Sequence, residues 1–167
     1  TGVYRMRLAT GGMIAGNPTV VMQTSHGDVT MELFQDRAPL SVLNFLQYAY
    51  AGFYTDTVFH RVIEDFMIQG GGFRADLSGT FPRESITNEA DNGISNTRGT
   101  VAMARTNAIH SATSQFFINV NDNARRGLDH RGESPEEFGY AVFGSVTEGM
   151  DVVDAIAALP AGPDGPF

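Results

Sequence analysis

The sequence predicts a mainly β fold, a closed or nearly closed barrel with two helices covering its ends. Two observations predict it. Short apolar and β-branched runs recur along the chain, separated by turn residues. Only two segments carry a helical period instead. The 167 residues are the length of one ordinary domain. A domain of that size buries roughly 70% of its unfolded surface, so it needs no covalent staple.

The elements follow in chain order. Thr1–Asn17 reads as an N-terminal extension, and residues 18–167 as the domain. Thr19–Thr24 is apolar and β-branched, Ser25-His26-Gly27-Asp28 is a tight turn, and Val29, Met31 and Leu33 alternate with Thr30 and Glu32. Together these predict a hairpin. Pro39–Ala51 is predicted as a helix: Val42, Phe45, Leu46 and Ala49 share one face, Pro39 suits the first position and Gly52 the stop. Further strands are expected at Thr57–Ile63, Phe66–Gln69, Gly99–Ala104, Gln115–Val120 and Tyr140–Val146. Between the last two, Asn121–Gly139 is a long loop, and loops of that length are often functional. The second helix, Met150–Leu159, carries a stripe of Val152, Val153, Ile156 and Ala157 and ends at Pro160. The tail Pro160–Phe167 reads as loop.

Composition removes whole classes of chemistry. There is no Cys, so disulfides, thiolate metal sites and a cysteine nucleophile are excluded. All eleven basic residues are Arg, which removes Schiff-base chemistry and the phosphate-loop lysine. The net charge of −8, with no basic stripe, argues against nucleic acid and against an anionic membrane as partners. No apolar run approaches the roughly 20 residues of a membrane span, and no signal peptide is visible. The chain begins with Thr1, which reads as a processed or trimmed end, so the compartment stays unassigned between cytoplasm and periplasm. His26, His60, His110 and His130 are scattered without metal-ligand spacing, and Ser111 and Ser114 lack a nucleophile elbow. Neither a metal nor another cofactor is expected.

The densest segment is Phe59-His60-Arg61-Val62-Ile63 with Phe66-Met67-Ile68-Gln69-Gly70-Gly71-Gly72-Phe73. Alternation puts Phe59, Arg61 and Ile63 on one strand face and His60 and Val62 on the other. An Arg in that company is paired, at a pocket rim, or exposed; most often it is a surface side chain lying over apolar neighbours. His60 reads as structural and hydrogen-bonded. Gly99–Thr106 and Ser114–Asn119 each place a polar group beside a strand, and each alone reads more as core than as site.

Taken in order, these segments resemble cyclophilins. The match runs through Phe59–Ile63 with Phe66–Gly71, then Met103-Ala104-Arg105, Ser114-Gln115-Phe116-Phe117, Phe143-Gly144 and Glu148-Gly149-Met150, and covers about Thr19–Leu159. Asn88–Gly93, Asn96–Thr100 and Phe138-Gly139-Tyr140 are similar to bacterial members in particular. The resemblance implies an eight-stranded antiparallel β-barrel capped by two α-helices. It implies a peptidyl-prolyl cis-trans isomerase that assists protein folding without metal or covalent intermediate. Its partners would be proline-containing peptides and unfolded or flexible protein segments, met as a monomer. It assigns Arg61 as the catalytic residue, and Phe66, Met67, Phe117 and Leu128 as the proline pocket. Gln69 and Gln115 would hold the substrate backbone, Ala104 and Arg105 would line the chain's path, and Tyr140 stands where many members have His.

Two departures stand out. Before Leu128 the family usually has a large aromatic; here Gly127 follows Arg125 and Arg126. That leaves one groove wall open and predicts weak cyclosporin binding. It also keeps alive a catalytically weak proline-peptide-binding module on the same barrel. A hydrolase or metal-dependent barrel enzyme is the other rival, with almost nothing in the residues to favour it. Cyclophilins also usually end in a strand beside the first one. The Gly/Pro-rich tail cannot be that strand, but Val3, Arg5 and Arg7 alternate with Tyr4, Met6 and Leu8, and Gly11-Gly12 allows a turn. Val3–Leu8 is therefore expected to pair with Thr19–Thr24 and stand in for the missing strand; the alternative is a truncated chain with Thr1–Asn17 as a flexible tail.

Overall fold

The computed structural model describes residues 3–8 and 16–160. Among the described residues nine strands form one antiparallel sheet: β1 (Val3–Leu8), β2 (Thr19–Thr24), β3 (Gly27–Leu33), β4 (Thr57–Val58), β5 (Arg61–Ile63), β6 (Met67–Gly70), β7 (Thr100–Met103), β8 (Phe116–Asn119) and β9 (Val142–Glu148). The helices are α1 (Pro39–Tyr50) and α2 (Met150–Ala157). Neighbours across the sheet run β4-β1-β2-β3-β9-β7-β8-β6-β5. The two ends of that order, β4 and β5, are separated in the chain by Phe59 and His60 alone. The sheet therefore curls until its first and last strands are consecutive pieces of backbone. The run Thr57–Ile63, expected as one strand, is these two pieces; counted as one, it gives the eight strands that the resemblance implies. Register shifts at Thr30/Met31 and Val101/Ala102 add local bends of the kind that help a sheet curve.

β1 pairs with β2 from Tyr4↔Thr24 to Leu8↔Val20, and with β4 at Val3↔Val58 and Tyr4↔Thr57. Of the two readings of the N-terminal segment, the paired strand is the one observed. The Gly11-Gly12 turn and the tail beyond Pro160 lie outside the described residues. The predicted hairpin turns at Ser25-His26, where the Thr24 hydroxyl donates to the Gly27 carbonyl (2.7 Å) and accepts from the His26 N–H (3.0 Å).

The core follows from strand alternation. Val20, Met22, Val29, Met31 and Leu33 point inward and are fully buried. α1 closes one end of the barrel by inserting Phe45, whose ring lies 5.3 Å from Tyr54, 5.4 Å from Phe116 and 5.2 Å from Phe143. The start of α1 has no cap of its own, and Pro39 at the first position has no N–H to satisfy. A distant residue supplies the cap. Glu89 accepts from the Leu40 N–H (3.0 Å), the Ser41 N–H (2.8 Å) and the Ser41 hydroxyl (2.7 Å). Its negative charge there also suits the helix dipole. α2 packs Val153, Ile156 and Ala157 onto the same core. Among the described residues no helix is long and apolar enough to cross a membrane.

Candidate active site

A second, smaller apolar cluster lies on the opposite face of the sheet, and the strand registers create it. Arg61 is opposite Gln69, Gln69 opposite Phe117, and Phe117 opposite Ala102. Directly paired residues share a face, so these four form a row across β5, β6, β8 and β7. The row one step over on the inner face is Val62, Ile68, Ile118 and Val101, which belong to the core. On the outer face Met67, Ala102, Phe117 and Val142 are buried, flanked by Phe34, Phe66, Ile94, Ala104, Leu128 and Tyr140. An outward strand face is normally wet. Here it carries an apolar strip under loops, with Phe117 only 4% exposed.

Polar groups line one edge of the strip. The exposed Arg61 guanidinium lies 3.5 Å from Gln69 Oε1 and 4.0 Å from Met67 Sδ, with its carbon 6.0 Å from the Phe66 ring centre. Gln69 Nε2 donates to Gln115 Oε1 at 2.8 Å, which fixes both amides. Gln115 has room because Gly72 lies against it: a Cβ there would come within 2.7 Å of the Gln115 amide. No carboxylate among the described residues pairs with Arg61. Its positive charge therefore has no carboxylate partner there and stands at the edge of the strip, beside Met67, Gln69 and Phe66.

The far edge is made by loops. Tyr140 sets its ring edge-on to Phe117, 5.7 Å between centres. Arg105 stacks over Tyr140 at 4.8 Å, and its donors go to the carbonyls of Gly139 (2.9 Å), Thr106 (2.9 Å) and Pro135 (2.7 Å). The Arg105 side chain therefore ties loops together. The Ala104 N–H donates to the Gln115 carbonyl (2.9 Å). All ten residues expected from the sequence thus gather along one strip.

Sequence reasoning missed a buried asparagine network beneath them. Asn96 Nδ2 donates to the carbonyls of Leu128 (3.1 Å) and Tyr140 (3.2 Å). Asn123 Nδ2 donates to the Phe66 carbonyl (2.7 Å) and to Asn119 Oδ1 (2.8 Å), and Asn119 Nδ2 reaches Thr100 Oγ1 (2.9 Å). Three residues flanking the strip are held by their backbone oxygens in this way. The available signal was Asn119 ending the apolar run Phe116-Phe117-Ile118, a polar residue where both faces are covered.

Two further expectations change. Phe59 does not share a face with Arg61: it is buried in the core, while Arg61 and Ile63 point outward. The reason is that β4 ends at Val58 and β5 begins at Arg61, so alternation loses its phase across Phe59-His60. The wall at Gly127 is also not empty. Ala124–Arg126 forms one 3₁₀ turn, capped by Gly127 at φ +84°, a left-handed conformation that an aromatic side chain would occupy only under strain. Arg126 lies over the Phe66 ring at 5.4 Å instead. His60 packs its ring on Phe73 at 4.8 Å. Burial holds its imidazole below the ordinary pKa, and Arg61 pushes slightly the same way, against contacts with the Val58 backbone and the Gln115 side chain.

Comparison with known proteins places the chain in a family. The cyclophilin-type peptidyl-prolyl cis-trans isomerase family model matches residues 19–166. The chain is 54% identical over 146 residues to peptidyl-prolyl cis-trans isomerase B of Escherichia coli, covering 87% of this chain and 88% of that one. It is 56% identical over 144 residues to a Streptomyces antibioticus peptidyl-prolyl cis-trans isomerase, covering 86% of each. A Cryptosporidium parvum cyclophilin-type isomerase, solved in the presence of the dipeptide Ala-Pro, superposes with a TM-score of 0.70 at 25% identity, covering 88% of this chain and 89% of that one. The chain belongs to the cyclophilin-type peptidyl-prolyl cis-trans isomerases.

Proposed function

We propose that the outer groove binds X-Pro segments of peptides and flexible proteins and speeds rotation about the X-Pro bond. The bond's partial double-bond character sets a barrier of about 18–20 kcal/mol, and uncatalysed exchange takes tens to hundreds of seconds. No bond is made or broken. In the twisted state the proline nitrogen becomes pyramidal and gains a lone pair. A fixed donor cation stabilises that state more than the planar ground state. Arg61 suits the role because it stays protonated and presents a rigid fork of donors.

Phe66, Met67, Phe117 and Leu128 would seat the proline ring, with Tyr140 buttressing Phe117. Gln69 and Gln115 would grip the backbone on one side of the bond, and the backbone at Ala104 and Arg105 would guide the chain. The observation that carries this reading is the Arg61 guanidinium, without a carboxylate partner among the described residues, at the edge of an outward apolar strip. A protease-coupled assay on a short X-Pro peptide tests it. Acceleration over the uncatalysed rate supports turnover; binding without acceleration would leave a proline-binding module. With Gly127 in place of an aromatic, cyclosporin is expected to inhibit weakly. Nanomolar inhibition would mean that Arg126 and its neighbours replace the aromatic contact.

A further inference from the structure

The protein is acidic overall, yet the groove rim is cationic. Arg61 and Arg126 both lie over the Phe66 ring, at 6.0 and 5.4 Å from its centre. Arg131 lies in the same loop as Arg126: a Cβ on Gly127 would come within 3.4 Å of its guanidinium. Glu64 and Asp65, exposed in the turn between Arg61 and Phe66, and Glu136 in the loop form no ion pair with these arginines, and four other acids of the loop have other partners. Asp129 accepts from Asn96, Asp122 from the Arg98 N–H, and Glu137 from Ser134, while Glu133 approaches His130. Among the described residues none forms an ion pair with Arg61, Arg126 or Arg131. Two guanidinium groups, neither in an ion pair among the described residues, therefore flank one ring of the strip, where a bound chain would pass.

We propose that Arg126, acting beside Arg61, makes this groove prefer X-Pro segments that carry an Asp or Glu close to the proline. The proposal rests on the isomerase reading of the groove. A flexible carboxylate there would meet two like charges at short range. The protein's net negative charge, spread over the surface, is largely screened beyond a Debye length of about 10 Å at 0.1 M salt. The contact sits at an exposed edge, so its expected size is that of a surface ion pair, about 2- to 5-fold in kcat/KM.

The test uses the whole chain and a peptide set with Glu, Ala or Lys at each of the two positions before and after Pro. The readout is the ratio of kcat/KM for the Glu peptide to that for the Ala peptide. At low salt at least one position should give a ratio of about 2 to 5, with Lys below Ala, and 1 M salt should bring it toward one. Arg126→Lys should keep most of the ratio. Arg126→Met, which retains an apolar stem over Phe66 without charge, should lose most of it, and Arg126→Glu should invert it. A wild-type ratio of one at every position overturns the proposal while leaving the isomerase reading intact. So does a ratio that survives in both the Met and Glu variants. Failure to turn over any peptide removes the isomerase reading and this proposal together.

Discussion

The two faces of β6, β7 and β8 are both buried, but for different reasons. Inside, Ile68, Val101, Ile118 and Phe116 pack into a core that α1 and α2 close. Outside, Met67, Ala102 and Phe117 are covered only by Phe66, Leu128, Tyr140 and the loops that carry them. The inner cluster is continuous packing. The outer one is a strip with a charged edge, held in place by asparagines that grip backbone oxygens. A strand in a small barrel should be wet on its outward face, so burial on both faces marks the place where something other than folding shapes the sequence. On the function proposed above, stability belongs mainly to the inner row and chemistry to the outer row.

Arg61 gives the sharpest test of that division. Arg61→Ala should lower kcat/KM by on the order of 10²-fold or more, the usual loss for one preorganised electrostatic donor. Its thermal midpoint should barely move, because the side chain is exposed and lies outside the core. Arg61→Lys should also be poor, since a point charge does not reproduce the fork. Near-wild-type turnover in Arg61→Ala would remove the mechanism.

Adjacent phenylalanines separate the two faces directly. Phe116→Ala should cost about 3–5 kcal/mol in denaturant unfolding, with little change in proline-peptide affinity for the fraction that folds. Phe117→Ala should fall at the low end of that range, because its side of the sheet can admit water or shift a loop. It should weaken proline-peptide binding measured by calorimetry, and an Ala-for-Pro peptide should bind wild type more weakly than its parent. If both variants lost affinity equally, the faces would not be functionally distinct.

Much of this was legible in the sequence, and the gaps share one cause. Pattern and turn residues placed the β2–β3 hairpin, α1 and α2 to within a residue or two, because each buries one face and exposes the other. The candidate site residues were suggested only by the order of motifs: Phe66–Ile68 and Phe116–Ile118 are apolar on both faces, so alternation could not say which side was core. Three features depend on tertiary contact and had no local signature: Glu89 capping α1 from 48 residues away, the Asn96–Asn119–Asn123 network, and Arg126 over Phe66. The phase slip at Phe59-His60 misled for the same reason. β1 was legible from alternation but not assured by it, since a lone edge segment has weak register. Its amides in the β2 and β4 ladders should exchange as slowly as those of β2. Exchange at the rate of an unfolded peptide would show that the barrel's outward row is built without it.

The smallest expected effect concerns the seam between the two faces, at His60. Its imidazole is partly buried against Phe73 beside Gln115, and burial lowers its pKa from the ordinary 6.5. A lowered value in the folded state means that the unfolded chain binds the proton more readily. Stability from keeping this ring neutral is then complete above about pH 6.5, the unfolded value. It declines as pH falls below that and is fully lost once pH passes the folded value. Denaturant midpoints measured at pH 7.5 and pH 5 should therefore differ more for wild type than for His60→Asn, which cannot titrate. The other histidines and the carboxylates contribute equally to both proteins, so the difference between the two slopes isolates His60. Turnover should follow the same direction only weakly, because Arg61 stays charged throughout and the Gln69–Gln115 hydrogen bond does not titrate. Equal pH slopes for wild type and variant would show that the seam is open enough for water to reach the ring, and that the division between the two faces ends before residue 60.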